Sequence, residues 1–336
     1  MSLKEIGEFG FIRRISRGCI NRPQGVLRGI GDDAAAFRTD GRLLCLITTD
    51  MLVERVHFQR EAISGRDLGH KSLAVNLSDI AAMGGTAREA FVAIAIPNEC
   101  AVAYLEELFE GMKELAGAHA VNILGGDTTR SAADLVITVT VYGTVPEADI
   151  LRRDAARPGD VVFCTGFLGD SRAGLHLVLE RAPADTPALQ ALLAAHHRPT
   201  PHLAEGRFFA GRPGVRAAID VSDGLSSDIG HIAEESRVGA QLFADKIPVS
   251  ENLADYCRRF GRSPLEFALS GGEDYALLVT AAAETAGAIA RDFKTTFGRE
   301  LHPIGVITAG PGIELIEPGG RSRPISPTGW DHFKEC

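Results

Sequence analysis

Three apolar runs rich in β-branched residues mark the first half of the chain: LLCLIT at 43 to 48, AFVAIAI at 90 to 96 and LVITVTV at 135 to 141. Each has the length and character of a buried strand. Between them, Leu68, Leu73, Val75, Leu77 and Ile80 recur among alanines from Asp67 to Met83, and a second helical pattern runs from Val102 to Leu115. Near Pro146 the pattern breaks, and a Pro-Gly turn in RRDAARPGDVVFCTG leads into a strand-like run from Val161 to Thr165. We expect two domains, 1–146 and 147–336. The stretch from Arg181 to Pro201 is bounded by prolines around a short helical centre and reads as a surface excursion. Ala276 to Thr280 and Ile304 to Thr308 are the last strand-like runs. Interleaved strands and helices give a mixed α/β class.

Composition narrows the function classes. The formal net charge of -9, from 35 Lys and Arg against 44 Asp and Glu, argues against a nucleic-acid binder. The six cysteines form no Cys-x-x-Cys pair and no zinc-spaced cluster, as expected of a reducing, cytoplasmic setting. No window approaches a membrane span, so no membrane partner is expected.

The carboxylates are unevenly placed. Apolar runs end in a small polar or glycine residue and then an acid in GIGDDAAAF (Asp32, Asp33), CLITTD (Asp50), LAVNLSD (Asp79), NILGGD (Asp127) and AAIDVSDG (Asp220, Asp223), and less regularly in SGGEDY (Glu273, Asp274). Any one of these reads equally well as a helix cap or turn residue. Together they read as a site at the ends of buried elements. Converging carboxylates repel unless cations offset them, and all-oxygen ligands select hard ions such as Mg2+, which also bridge phosphates. Glycine pairs beside these acids let backbone approach a bulky anion, although turns and close packing explain each alone. The chain has no G-x-x-x-x-G-K-[ST], no G-x-G-x-x-G after a strand and no protein-kinase motif set. Any phosphoryl transfer here has to run on aspartates and metal, not on a phosphate-loop lysine.

The segments GEFGFI, GIGDDAA, TTDMLVERVHF, DLGHKSLAVNLSDIAAMGG, NILGGDTTR, RPGDVVFCTGFLGDSRAGL, IDVSDGLSSDIGHIA, LSGGEDYALLVT and GWDHF, in this order, resemble the thiamine-monophosphate kinase family of the aminoimidazole-ribonucleotide-synthetase-like ATP-binding superfamily. The resemblance spans essentially the whole chain. It implies a two-domain synthetase-like kinase fold, with an N-terminal ATP- and Mg2+-binding and dimerisation domain that contributes strands to a barrel at a homodimer interface. It implies ATP-dependent phosphorylation of thiamine monophosphate to thiamine diphosphate, with several Mg2+ ions.

Carried over by position, the resemblance implies metal ligands at Asp33, Thr48, Thr49, Asp50, Asp79, Asp127, Asp220 and Asp223, of which Asp50, Asp127 and Asp220 are the catalytic set. It implies ATP contacts at Gly126, Asp127, Arg153 and Ser222, and substrate contacts at His57, Glu273 and Trp330. Thr48 stands where the family often has serine, and Ser72 where it has alanine; neither removes a ligand. For the substrate residues, a thiazolium ring with a fixed positive charge would meet an aromatic face at Trp330 and a carboxylate at Glu273. Taken alone, His57 is a polar edge residue, Trp330 a packing residue and Arg153 a surface charge, while Lys71 is a surface charge or a support for Asp79. Two rival readings are a synthetase of the same superfamily and a catalytically silent nucleotide-binding protein.

Overall fold

The structure, a computed structural model, describes residues 24–39 and 41–326 together with Gly10, Ile12 and Gly329. Its first half runs β1 (Val26–Arg28), β2 (Ala35–Arg38), β3 (Leu43–Val53), α1 (Gly65–Ala82), β4 (Thr86–Pro97), α2 (Val102–Ala118), β5 (Asn122–Ser131) and β6 (Val136–Pro146). The strands form one sheet in the order β1-β2-β3-β6-β4-β5, antiparallel except for the β4–β5 pair. The predicted runs at 43, 90 and 135 are its long members, β3, β4 and β6.

Alternation divides this sheet into two faces. Leu44, Leu46 and Leu52 of β3, Val92 and Ile94 of β4, and Ile137, Val139 and Val141 of β6 are buried against α1 and α2. On the other face Ile47, Met51 and Phe91 stand exposed among the described residues.

The second half contains β7 (Val161–Cys164), α3 (Asp170–Leu179), α4 (Pro187–His197), α5 (Leu203–Phe209), β8 (Val215–Asp220), α6 (Leu225–Ser236), β9 (Gly239–Phe243), α7 (Glu251–Phe260), α8 (Pro264–Ser270), β10 (Leu277–Ala281), α9 (Ala283–Phe297), β11 (His302–Thr308), β12 (Gly312–Ile316) and β13 (Ser322–Ile325). Its sheet has the order β13-β12-β9-β11-β7-β10-β8, again antiparallel except for one pair, β9–β12. The two sheets share a core. Leu73, Leu77 and Ile80 of α1 belong to one apolar cluster with Phe163, Phe209, Val279 and Phe293 of the second half.

The stretch from Arg181 to Pro201 departs from its expected surface position. Thr186 caps α4 by accepting from the Leu189 N–H, and Leu189 and Leu192 pack with Leu177, Leu253 and Tyr256 in a separate small core. The flanking prolines mark the ends of a packed helix, and that helix carries the buried His196 and His197 inward. Among the described residues no helix is long and apolar enough to cross a membrane.

Candidate active site

Helix α1 is buried on nearly every side, yet it carries Lys71, Ser72, Asn76 and Ser78 fully buried, with Asp79 one position further on. Ser72, Asn76 and Asp79 follow one another at i, i+4 and i+7, so they share a face. Buried polar groups require partners, and these reach two other segments. Asn76 Oδ1 accepts from the Asp50 N–H at 3.0 Å, Asp79 accepts from the Thr48 hydroxyl, and Ser78 Oγ donates to Asp220 Oδ2 at 2.5 Å. The helix thereby ties the middle of β3 to the end of β8.

Carboxylate oxygens of Asp33, Asp79 and Asp220 lie within 4.8 Å of one another. Burial and the neighbouring Asp50, Asp220 and Asp33 hold Asp79 well above the ordinary carboxylate range. Asp220 is raised well above it by burial and then Asp33, and Asp50 is pushed up to about 6 by the same two causes. Asp33 is the partly neutralised member: Arg153 donates Nη2–H and Nε–H to its two oxygens at 2.6 and 3.0 Å. The predicted metal ligand and the predicted phosphate arginine thus hold each other. Asp32 backs the arginine at 3.7 Å and is pushed up to about 7, by burial first and Asp33 second.

This donor set fits a hard divalent cation. It is all oxygen, it is clustered, and its charge is under-compensated by protein groups.

Other predicted residues lie elsewhere. Asp223 groups with Asp228 and His231, whose ligand atoms also lie within 4.8 Å; Asp228 Oδ2 accepts the Gly224 N–H at 2.9 Å and so braces the Ser222-Asp223-Gly224 turn. Thr49 faces away from Asp50, its hydroxyl donating to Val139 O and bonded to Thr140 Oγ1. Asp127 pairs in register with Ala93, which pairs with Thr138 and through it Met51. That row is on the exposed face, whereas the Asp50 row runs through buried Val139 and Val92. Three strand spacings, about 14 Å, also separate Asp127 from Asp50. Within one chain the fold does not bring Asp127 to the cluster. Gly126 is fixed by packing: its φ is +154° and a Cβ would sit 1.7 Å from Val92 O.

His57 follows β3 in a turn, its Nδ1 accepting the Val53 N–H at 3.0 Å, which fixes the ring tautomer. Trp330 lies outside the described residues. Glu273 is in the loop before β10, which lies directly on the Ser222 loop. The Glu273 N–H donates to Ser222 O at 2.7 Å, the Tyr275 N–H to Val221 O at 2.8 Å, and a Cβ at Gly272 would stand 2.5 Å from Ser222 O. Both Glu273 and Tyr275 adopt positive φ, 62° and 53°.

Two partners of Glu273 escaped the sequence reading. Lys71 Nζ is 2.9 Å from each of its carboxylate oxygens, and His196 Nδ1 is 3.2 Å from Oε2. Lys71 therefore supports Glu273, neither a surface charge nor a prop for Asp79. Burial works to raise the Glu273 carboxyl, but Lys71 and His196 outweigh it and hold it below the usual range. Lys71, Asn76 and Ser78 had a legible signal: polar residues within an otherwise apolar helix. His196 had none.

Comparison with known proteins agrees with this architecture. The chain matches the family model of the AIR synthase related protein N-terminal domain over residues 31–145 and that of the C-terminal domain over 157–317. It is similar to the thiamine-monophosphate kinase of Aquifex aeolicus (34% identical over 333 residues, 99% of this chain and 100% of the relative) and to that of Bacillus subtilis (38% over 280 residues, 82% and 84%). The solved structure of AaThiL complexed with AMPPCP and TMP superposes with a TM-score of 0.87 at 34% identity, covering 99% of both chains. The chain is an enzyme built from the two AIR synthase related domains and belongs to the thiamine-monophosphate kinase family.

Proposed function

We propose that this enzyme transfers the γ-phosphoryl group of ATP directly, in line, to thiamine monophosphate, giving thiamine diphosphate and ADP in the cytoplasm. The observation that carries the reading is the convergence of Asp33, Asp50, Asp79 and Asp220 from separate segments, in a chain whose relatives are kinases of this name. These four residues would hold Mg2+ ions. Bound there, the metal supplies positive charge against the phosphate oxygens of both substrates. Asp79 is oriented by Thr48, Asp220 by Ser78 and the Asp50 backbone by Asn76, so the ligand set is preorganised. Arg153, held by Asp33 and with Asp32 behind it, would take up a phosphate. The nucleophile is a phosphate oxygen already ionised at neutral pH, so no general base is required and catalysis reduces to positioning and charge compensation.

We further propose a homodimer in which the exposed face of the first sheet closes against its counterpart as a barrel, with the two domains dividing near residue 147. Ile47, Met51 and Phe91 would be covered there, and Asp127 and Gly126 would serve the partner's site. A Mg2+-dependent assay comparing thiamine monophosphate, thiamine and no acceptor tests the main reading. Thiamine diphosphate and ADP in equal amounts, from the monophosphate alone, are expected. ATP bound but never turned over would refute it.

A further inference from the structure

A lysine with no exposed surface in the middle of a helix is costly unless its charge is matched. Among the described residues Lys71 is matched by one carboxylate, Glu273, whose side chain keeps about a quarter of its surface exposed. That carboxylate is restrained from every other side. Its backbone is held in a positive-φ conformation by the Ser222 carbonyl, and a strained residue persists only where its surroundings over-determine it. Asp274, the next residue, accepts the Gly169 and Ser171 N–H groups at 2.6 and 3.1 Å and fixes the loop to the start of α3. Ser171 in turn bonds His196 Nδ1 at 3.1 Å. Burial, and then the Lys71 charge, push the His196 ring toward its neutral form, and its Nδ1 stands 3.2 Å from Glu273 Oε2 as well as 3.1 Å from Ser171 Oγ.

The charge balance changes what Glu273 can recognise. A bare carboxylate would act as a counter-ion to a thiazolium ring, but the Lys71 ammonium already offsets this one. Of roughly four lone-pair positions on a carboxylate, Lys71 occupies two, and His196 stands 3.2 Å from one of the oxygens. The remaining acceptor position is directional. In a thiamine phosphate the conventional N–H donor is the exocyclic amino group of the pyrimidine ring.

We propose that Lys71 and His196 are positioning residues that hold Glu273 as a fixed hydrogen-bond acceptor for the amino group of the acceptor substrate, making the three residues a specificity element for the pyrimidine end. This deepens the kinase reading and rests on it. Oxythiamine monophosphate keeps the thiazolium and the phosphate but has a carbonyl in place of the amino group, so it separates hydrogen bonding from charge attraction.

The test is calorimetric titration of thiamine monophosphate, oxythiamine monophosphate and AMPPCP into the full-length protein with Mg2+, for the wild type, Lys71→Met, Glu273→Gln and the double variant. The wild type is expected to bind the oxo analogue about tenfold more weakly than thiamine monophosphate. Each single variant should lose about tenfold for thiamine monophosphate, with AMPPCP within about twofold, and the double variant should be no worse than either single one. Lys71 in a purely structural role would instead weaken both ligands together. Equal binding of the two thiamine phosphates by the wild type overturns the proposal, as does additive loss in the double variant. If Lys71→Met does not fold, the wild-type comparison still decides, and His196→Gln supplies the second variant. Failure of the kinase reading would be seen separately, as no ADP from thiamine monophosphate by the wild type.

Discussion

Replacing Asp79 by Asn should abolish turnover and at the same time stabilise the metal-free protein. The amide oxygen still accepts the Thr48 hydroxyl, so the substitution removes charge and keeps the hydrogen bond. Arg153 offsets Asp33, which leaves Asp50 and Asp220 as the uncompensated neighbours, Asp220 within 4.8 Å. Two unit charges at 4.8 Å repel by about 3.5 kcal/mol at an effective dielectric constant of about 20. For 336 residues the unfolding entropy is about 0.7 kcal/mol/K, so the full repulsion corresponds to about 5 °C in Tm. Partial protonation relieves the wild type, and the gain expected at pH 8 in EDTA is about 2 to 5 °C. The pH dependence has a defined sign. Asp79, Asp220 and Asp50 have folded pKa values above their unfolded ones, so their contribution is full at low pH and is lost as pH rises through the folded values, about 6 for Asp50. Wild-type Tm in EDTA should fall from pH 5.5 to 8, and less steeply in Asp79→Asn. Mg2+ should raise the wild-type Tm and do little for the variant. A variant several degrees less stable than the wild type in EDTA at pH 8 would refute the argument, because Asp79 would then be a satisfied structural group.

His197 is pushed down to about 4, chiefly by burial and then by His196 and Lys71. With a folded pKa below the unfolded one, its contribution is present above about 6.5 and lost as pH falls toward 4; after discounting for screening it is about 2 kcal/mol, and denaturant titrations of His197→Gln should show a shallower loss between pH 7 and 5. Arg153→Lys cannot reproduce the two-bond grip on Asp33 and should raise KM for ATP about tenfold or more while leaving KM for thiamine monophosphate within about twofold, read by steady-state kinetics. If Asp127 serves the partner's site, mixing inactive Asp50→Asn with inactive Asp127→Asn and allowing subunit exchange should restore about a quarter of wild-type activity, since half the dimers carry one intact site; no recovery from verified mixed dimers would place both residues in one chain's site.

How much of this was legible in the sequence depends on what each signal encodes. β3, β4, β6 and α2 could be read because strand alternation and helical periodicity come from one-sided burial, whereas α1, buried on nearly every side, could be read from apolar residues recurring among alanines. The strand β5 carries NILGGDTTRS, in which polar residues and glycine mask strand character, and it holds its place by parallel pairing along β4. The acids of the cluster were visible through repeated placement after apolar runs. Their division was not visible: whether Asp50 and Asp127 meet depends on strand order and on the face each occupies, and neither is a local property. The prolines around α4 looked like loop punctuation, and only tertiary packing shows His196 reaching Glu273 from there.

The polar stripe of α1 explains why fold and site cannot be separated in this chain. A helix buried on all sides gains most from being apolar, and each polar residue inside it carries a desolvation cost. Here Ser72 bonds back to the Leu68 carbonyl of its own helix, and the others are matched by groups from other segments: Lys71 by Glu273, Asn76 by the Asp50 backbone, Ser78 by Asp220, and Asp79 by Thr48. These matches fix the separation of β3 from β8 to hydrogen-bond accuracy, which apolar contacts alone specify loosely. The same helix also supplies much of the core shared by the two sheets. An error in its packing would therefore displace the acids of β3 and β8 relative to each other before it unfolded either sheet, and activity should be lost at smaller core perturbations than stability.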